Sequence, residues 1–338
     1  MAAPSHPPVL VTGAAGFIGF HTCRRLLAQG LSVIGLDNFT AYYAPALKEA
    51  RAAELAKDPG FTLVRGDIAT PGTVLDLVRS NGVARIVHLA AQAGVRWSVE
   101  HPEAYADSNL TGFVQVLEAA RHGAVEHLVY ASSSSVYGAN TSIPFRVGDD
   151  VSHPVSLYAA TKLANEAMAF TYSHLYRIPA TGLRFFTVYG PWGRPDMAYY
   201  KFTDAILAGR AIDVYNQGDL KRDFTYVDDI VEGVLRVLGM PPVPQTPAGT
   251  TADAPHRLYN IGNDRPVRLL DFIAALEDAI GIRAHTRMVG MQLGDVPATW
   301  ADVAPLEADT GYRPSTSLEV GLRRFVAWYR EYHGLLAP

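Results

Sequence analysis

The chain has 338 residues, 49% hydrophobic and 18% charged, which is globular composition and excludes a disordered chain. A formal net charge of -4 offers no basic stripe to neutralise a phosphate backbone, so nucleic acid is not an expected partner. Met1–Pro8 has neither a basic n-region nor an apolar core, and no run approaches the ~18 apolar residues of a membrane span, so neither a signal peptide nor a membrane partner is expected. The single cysteine, Cys23, permits no internal disulfide and points to a reducing, cytoplasmic setting.

In chain order, short apolar runs rich in β-branched residues occur at Val9–Thr12, Ser32–Leu36, Thr62–Val64, Arg85–Leu89, His127–Ala131 and Ala180–Phe186. Their near-continuous apolarity is that of strands covered on both faces. Helical spacing separates them, at Ile18–Gln29, Pro102–Arg121 and Tyr158–Tyr176. This alternation predicts an α/β fold, a Rossmann-type doubly wound parallel sheet with helices on both sides. After residue 190 the rhythm breaks. Helices are expected at Met197–Leu207, Tyr226–Leu238, Leu269–Ile280 and Ser317–Tyr332, a short strand at Asp213–Tyr215, and an exposed loop at Gly239–Pro255. The expected organisation is a dinucleotide-binding domain over 1–190, to which a segment near 224–260 can return. A smaller, irregular α/β substrate-binding domain over 191–338 would complete a binding cleft.

The first strand runs into Gly13-Ala-Ala-Gly16-Phe-Ile-Gly19 and then a helix. Glycines in such a turn allow a close approach of backbone to a pyrophosphate, which meets the unpaired N–H groups and positive dipole end of the helix. A glycine loop alone is a weak signal, since any tight strand–helix turn can carry one. Its context sharpens it, because Asp37 ends the second strand, where an acid can accept the ribose hydroxyls of an adenosine. That acid repels a 2′-phosphate, and Asn38 beside it adds no positive charge, so NAD is expected over NADP. Asp67, after the third strand, is either an adenine ligand or a turn residue.

Tyr158 and Lys162 stand at i and i+4 of one helix. An ammonium beside a phenol stabilises the phenolate and makes a general base for a sugar hydroxyl. The bland alternative is an exposed amphipathic pair. Ser132, Ser133, Ser134 and Ser135 follow the fifth strand, at the carboxyl edge where parallel sheets bind ligands, or else they cap their own backbone. The 11 histidines are scattered without metal-ligand spacing, so no metal is expected. His88 reads as a satisfied core histidine, and Trp192 reads equally as packing or contact.

The chain resembles the extended short-chain dehydrogenase/reductase superfamily over nearly its whole length, and within it the UDP-glucuronate 4-epimerases. The stretches that carry this are Thr12–Gly19, His88–Arg96, Ser132–Gly138, Ser156–Lys162, Leu183–Met197 and Arg222–Asp229. The resemblance implies that Tyr158 is the base, Lys162 its electrostatic partner, and Ser133 the ligand of the sugar 4-hydroxyl. It implies a tightly bound NAD against Gly13, Gly16, Phe17, Ile18, Gly19, Asp37, Asn38, Asp67, Ile68, Leu89, Ala90 and Ala91, as well as Tyr158 and Lys162. Ser134 and Ser135 would lie by a uronate carboxylate, and Thr187 at a further sugar contact. Arg222 would pair with the UDP phosphates, Val214, Tyr215 and Asn216 would take the uridine, and Asp295 its ribose. Arg194 would meet a phosphate or the carboxylate, unless it and Arg222 form surface salt bridges. The resemblance also implies a homodimer, paired through Pro102–Arg121 and Tyr158–Tyr176. Sugar 4,6-dehydratases carry an Asp-Glu pair where this chain has Ser134 and Ser135, which disfavours dehydration. Decarboxylases carry a Glu nearby that is absent here. The remaining alternatives are a UDP-N-acetylglucosamine or UDP-glucose 4-epimerase, a UDP-glucuronate decarboxylase, and a non-catalytic NAD(H) sensor.

Overall fold

A computed structural model describes residues 6–247, 249–291 and 296–335. In its first half the strands are β1 (Val9–Thr12), β2 (Val33–Asp37), β3 (Phe61–Arg65), β4 (Arg85–His88), β5 (His127–Ser133) and β6 (Ala180–Phe185). Helices α1 (Phe17–Ala28), α2 (Pro45–Leu55), α3 (Thr73–Asn81), α4 (Trp97–Glu100), α5 (Pro102–Tyr105), α6 (Gly112–His122) and α7 (Leu157–Tyr176) alternate with them. The second half contains β7 (Thr187–Tyr189), α8 (Ala198–Leu207), β8 (Ile212–Val214), β9 (Lys221–Tyr226), α9 (Val227–Leu238), β10 (His256–Ile261), β11 (Pro266–Arg268), α10 (Leu269–Ile280), β12 (Thr286–Met288), α11 (Ala304–Thr310) and α12 (Leu318–Tyr332).

The chain divides into two compact units. The first gathers residues 1–140, 147–185 and 231–259. Its 7-stranded sheet has the order β10-β6-β5-β4-β1-β2-β3. Strands β1 to β6 are joined by parallel pairings, as their unbroken apolarity predicts. Every residue of β1 and β2 is buried, and Leu10, Ile86, Phe113, Val116, Leu128 and Tyr130 share one core. The order reverses between β1 and β4, and parallel sheets bind ligands beyond the strand ends at such a point. Thr12 lies opposite Leu36 on one side and His88 on the other, so Gly13 and Leu89 leave the sheet beside Asp37, the last residue of β2.

The second unit holds residues 141–146, 186–230 and 260–338. It contains a three-stranded sheet, β11-β9-β7, and a two-stranded one, β12-β8. Its core is aromatic: Phe224 stacks on Phe272 at 4.3 Å between centroids, and Tyr199 meets Phe325 edge-on at 4.9 Å.

Several expectations are corrected. The helix read over 102–121 is broken by a π-helical turn at Ala106–Thr111. Strand pairing also moves boundaries. Tyr226 belongs to β9, pairing with Tyr189, and Tyr215 opens a 3₁₀ turn after β8. Residues 141–146 and 186–190, read with the first domain, group with the second unit, the latter carrying β7, which pairs with β9. Strand β10, unread in the sequence, follows the loop at 239–255 and borders β6.

Candidate active site

The glycine loop is wound tightly against the end of β4. Gly13 has φ +71, in the left-handed region, and a Cβ there would sit 2.7 Å from the Ala90 nitrogen. A Cβ on Gly19 would lie 2.0 Å from the Gly13 carbonyl oxygen. Side chains at either position would collide with this backbone, so both glycines let the loop pack this closely. Helix α1 then begins at Gly16 with no side-chain cap and no acid in its first turn, so nothing in that turn competes with an anion for its N–H groups. Phe17 is buried in that first turn, beside the half-buried Ile18.

Asp37 is buried at the end of β2. It accepts from the Ala15 N–H at 3.0 Å and the Phe39 N–H at 2.8 Å, which fixes it beside the glycine loop. The sequence suggested no cation near this acid. Folding supplies one: Lys48 Nζ of α2 lies 3.9 Å from Asp37 Oδ1, and both side chains are buried. Buried Arg51, one helical turn on, donates to the Ala15 carbonyl at 2.9 Å and the Tyr43 hydroxyl at 2.7 Å. Asn38 donates to Asp67 at 2.9 Å, and Asp67 also accepts from the Ala69 N–H at 2.8 Å. Asp67 is thus both a turn residue and a neighbour of Asn38; Ile68 after it is buried in the core.

The fifth strand and α7 are tied together. Ser156, two residues before Tyr158, caps α7 by accepting from the Ala159 N–H at 3.1 Å. Lys162 is buried, and its ammonium donates to the Ala131 carbonyl of β5 at 2.8 Å. Burial pushes its pKa down to about 8, with the Glu166 carboxylate opposing the drop. Tyr158 is half-buried, edge-on to Tyr105 with centroids 6.1 Å apart. The four serines differ in employment. Ser132 donates to Glu166 at 2.5 Å, Ser133 accepts from the Ser135 N–H at 3.1 Å, and Ser134 and Ser135 begin a 3₁₀ turn, half-buried. Beside them, buried His88 bonds Thr12 at 2.8 Å and is held neutral by burial, its pKa lowered to about 3.

Two residues that sequence reasoning passed over stand here. Asn109, inside the π-helical turn, donates to the Gln92 carbonyl and to Thr161 of α7, each at 3.0 Å. Gln92, just beyond Leu89, Ala90 and Ala91, is buried, and its side-chain nitrogen meets no acceptor among the described residues. A π-turn inside a helical pattern marks functional places, but its residues carry no distinctive pattern.

The second unit arranges its candidates differently. Thr187 opens β7 and is half-buried. Arg194 forms a fork with Asp196, at 3.0 Å from Nε and 2.5 Å from Nη2, so the salt-bridge alternative for this residue is realised. Arg222 donates to the carbonyls of Lys221 at 2.9 Å and Pro297 at 3.2 Å. Its neighbour Asp223 is fully buried and accepts from the N–H groups of Asn263, Asp264 and Ala301, which pins β9 to two loops. Burial pushes that carboxyl up to about 6 despite those bonds. Val214 ends β8 in the core. Tyr215 and Asn216 follow in the turn, where Asn216 has φ +50 and donates to the Asp219 carbonyl at 2.7 Å. Trp192 packs on Trp328 and Tyr332. Asp295 lies outside the described residues. Among the described residues no group of three His, Cys, Asp or Glu is placed to hold a metal, and no helix is long and apolar enough to cross a membrane.

With this geometry in hand, comparison with known proteins decides the family. The sequence model of the NAD dependent epimerase/dehydratase family matches residues 9–262. The chain belongs to that family. Within it, the chain is 50% identical to Protein CapI of Staphylococcus aureus, over 96% of this chain and 99% of that protein. It is 48% identical to a Rhizobium meliloti protein named "Probable UDP-glucuronate 4-epimerase", over 95% of this chain and 96% of that protein. Among solved structures it is similar to the UDP-glucuronic acid 4-epimerase of Bacillus cereus, in complex with UDP-glucuronic acid and NAD. The TM-score is 0.86 at 32% identity, covering 96% of this chain and 99% of that one. The family match spans the glycine loop, Asp37, the serine run and the Tyr158–Lys162 pair, all within the first unit.

Proposed function

We propose that this member of the epimerase/dehydratase family is a UDP-glucuronate 4-epimerase, interconverting UDP-glucuronate and UDP-galacturonate with NAD retained. The observation that carries the chemistry is the bond from the buried Lys162 ammonium to β5. It joins the helix bearing Tyr158 to the strand end bearing Ser133. The similarity to proteins named for this activity supports the substrate.

The residues fit the cofactor. The cradle at Gly13 and Gly19, the open N-terminus of α1 and the fixed Asp37 would hold a dinucleotide, and Gln92 offers a buried donor at the same sheet edge. When bound, NAD supplies the hydride acceptor and donor for sugar C4. Tyr158 takes the proton of the sugar 4-hydroxyl as C4 is oxidised and gives it back on the opposite face after the sugar turns over. Lys162, as ammonium, stabilises the phenolate that exists before the first of those events and after the second. Ser133 orients the hydroxyl. The cycle leaves no net oxidation and no net proton change.

The intermediate is a β-keto acid, which loses CO₂ if its carboxylate aligns with the ketone. Ser134, Ser135 and Arg194 are assigned to hold the carboxylate away from that alignment. Arg194 would exchange Asp196 for the sugar carboxylate. Thr187 is assigned to the sugar, Arg222 to the diphosphate, and Val214, Tyr215, Asn216 and Asp295 to the uridine and its ribose. Exposed Leu175 and Tyr176 on α7 support pairing of two copies as a homodimer through Pro102–Arg121 and Tyr158–Tyr176.

A proton NMR time course with UDP-glucuronate and no added NAD tests the proposal. A growing anomeric signal of UDP-galacturonate is expected. Signals of a UDP-pentose, or no change, would count against it.

A further inference from the structure

Tyr158, Lys162 and Glu166 stand at i, i+4 and i+8 of α7, on one helix face. The mechanism uses the first two. Glu166 is buried, as is Arg184 of β6, and they form a two-pronged pair, Nε to Oε1 at 2.8 Å and Nη2 to Oε2 at 2.7 Å. Ser132, the residue before Ser133, donates to the same carboxylate at 2.5 Å. Arg184 also donates to the Val147 carbonyl at 3.1 Å and lies over the Tyr137 ring at 4.9 Å. One carboxylate thus joins the serine strand, its neighbouring strand and the catalytic helix.

A buried ion pair is weak evidence for stability, because apolar residues of similar volume serve as well or better. Its position suggests another use. We propose that Glu166 is a positioning residue of the epimerisation, holding Lys162 in its ammonium form and clamping Ser132, and with it Ser133, against α7. The inference rests on the reading of Tyr158 as the base.

The groups around Lys162 support this. On α7, Tyr158 and Glu166 stand one helical turn to either side of it. From β4 it faces His88, which burial holds neutral; Tyr130 of β5, close to Glu166, is likewise held neutral by burial. Burial pulls the ammonium toward the free amine, and Glu166 is the anion that opposes it. Without that charge Lys162 loses its proton at lower pH, and the phenolate loses its partner.

The test uses the NAD holoenzyme. The double variant Glu166→Gln/Arg184→Met removes both charges, keeps an acceptor for Ser132 and roughly keeps volume. The basic limb of the kcat profile is expected to move toward acid, with KM little changed. A second readout needs no sugar: the phenolate absorbance of each protein minus that of its Tyr158→Phe counterpart. Its midpoint is expected to rise in the double variant, and a wrong sugar in the reading above leaves this readout intact. Ser132→Ala keeps both charges, so its limb should stay in place while kcat falls about tenfold or more from misplacement of Ser133. A folded, NAD-loaded double variant with native limb and native midpoint overturns the proposal, as does Ser132→Ala moving the limb equally far. If the double variant does not fold, Ser132→Ala decides, and a native kcat there overturns the clamp.

Discussion

The two units present their candidate residues in opposite ways. In the first, Asp37, Lys162 and Ser133 are buried and held by backbone: Asp37 by two N–H groups, Lys162 by the Ala131 carbonyl, Ser133 by the turn it caps. In the second, Arg194 is already paired with Asp196, Arg222 rests on carbonyls, and Asn216 sits in a left-handed turn. A site wired by sheet ends is built before any ligand arrives. A site made of guanidiniums on short elements has to trade partners to engage one. The contrast supports the proposal that the first unit carries the chemistry and the second the choice of sugar nucleotide.

Four results would break or sharpen it, taken from the largest effect down. Tyr158→Phe removes the base, so kcat should fall by roughly 10²–10⁴-fold with KM and bound NAD unchanged. A comparable rise in KM would mean that Tyr158 binds and does not react. Arg222→Ala removes charge-assisted bonds to the diphosphate, each worth about 1.5–3 kcal/mol, so KM for the UDP-sugar should rise roughly 10–100-fold with kcat nearly intact. A loss confined to kcat would place the second unit in the chemistry. Ser134→Ala/Ser135→Ala should release CO₂, visible as UDP-pentose by NMR at up to about a tenth of turnover, a loss of grip worth about one factor of ten. Full product purity would remove both serines from carboxylate control.

The smallest effect is on stability, and its sign differs between the units. Burial lowers His88 to about 3 and His127 and His256 to about 4, all in the first unit. Their contribution is complete above the unfolded value near 6.5 and is lost as pH falls through 4, on the order of 1–2 kcal/mol each at pH 5. Asp223, in the second unit, is raised to about 6, so its contribution is complete below about 3.8 and lost as pH rises through 6. Hydrogen exchange, corrected for its own pH dependence and followed over each unit, should weaken in the first between pH 7.5 and 5 and not in β9. Equal weakening of both would contradict these assignments.

Much of the first unit is legible from its residues, because continuous apolar strands and a glycine turn carry their own pattern. What escaped depends on partners far along the chain. Helix α2 buries Lys48 and Arg51 where an apolar stripe would announce it, and those charges make sense only beside Asp37 and the Ala15 carbonyl. Asn109 looks ordinary until the fold brings Gln92 and Thr161 to it. Glu166 resembles a surface partner for Lys162 until Arg184 and Ser132 close around it. Strand β10 was unread because β6 makes its partner only after the loop at 239–255.

The central claim is that epimerisation proceeds by oxidation and re-reduction at C4 within one holoenzyme. UDP-glucuronate carrying deuterium at C4 tests it most directly. The account predicts UDP-galacturonate with deuterium still at C4 and a slowed turnover, with no label reaching solvent. Product that has exchanged its C4 deuterium for solvent hydrogen would contradict it.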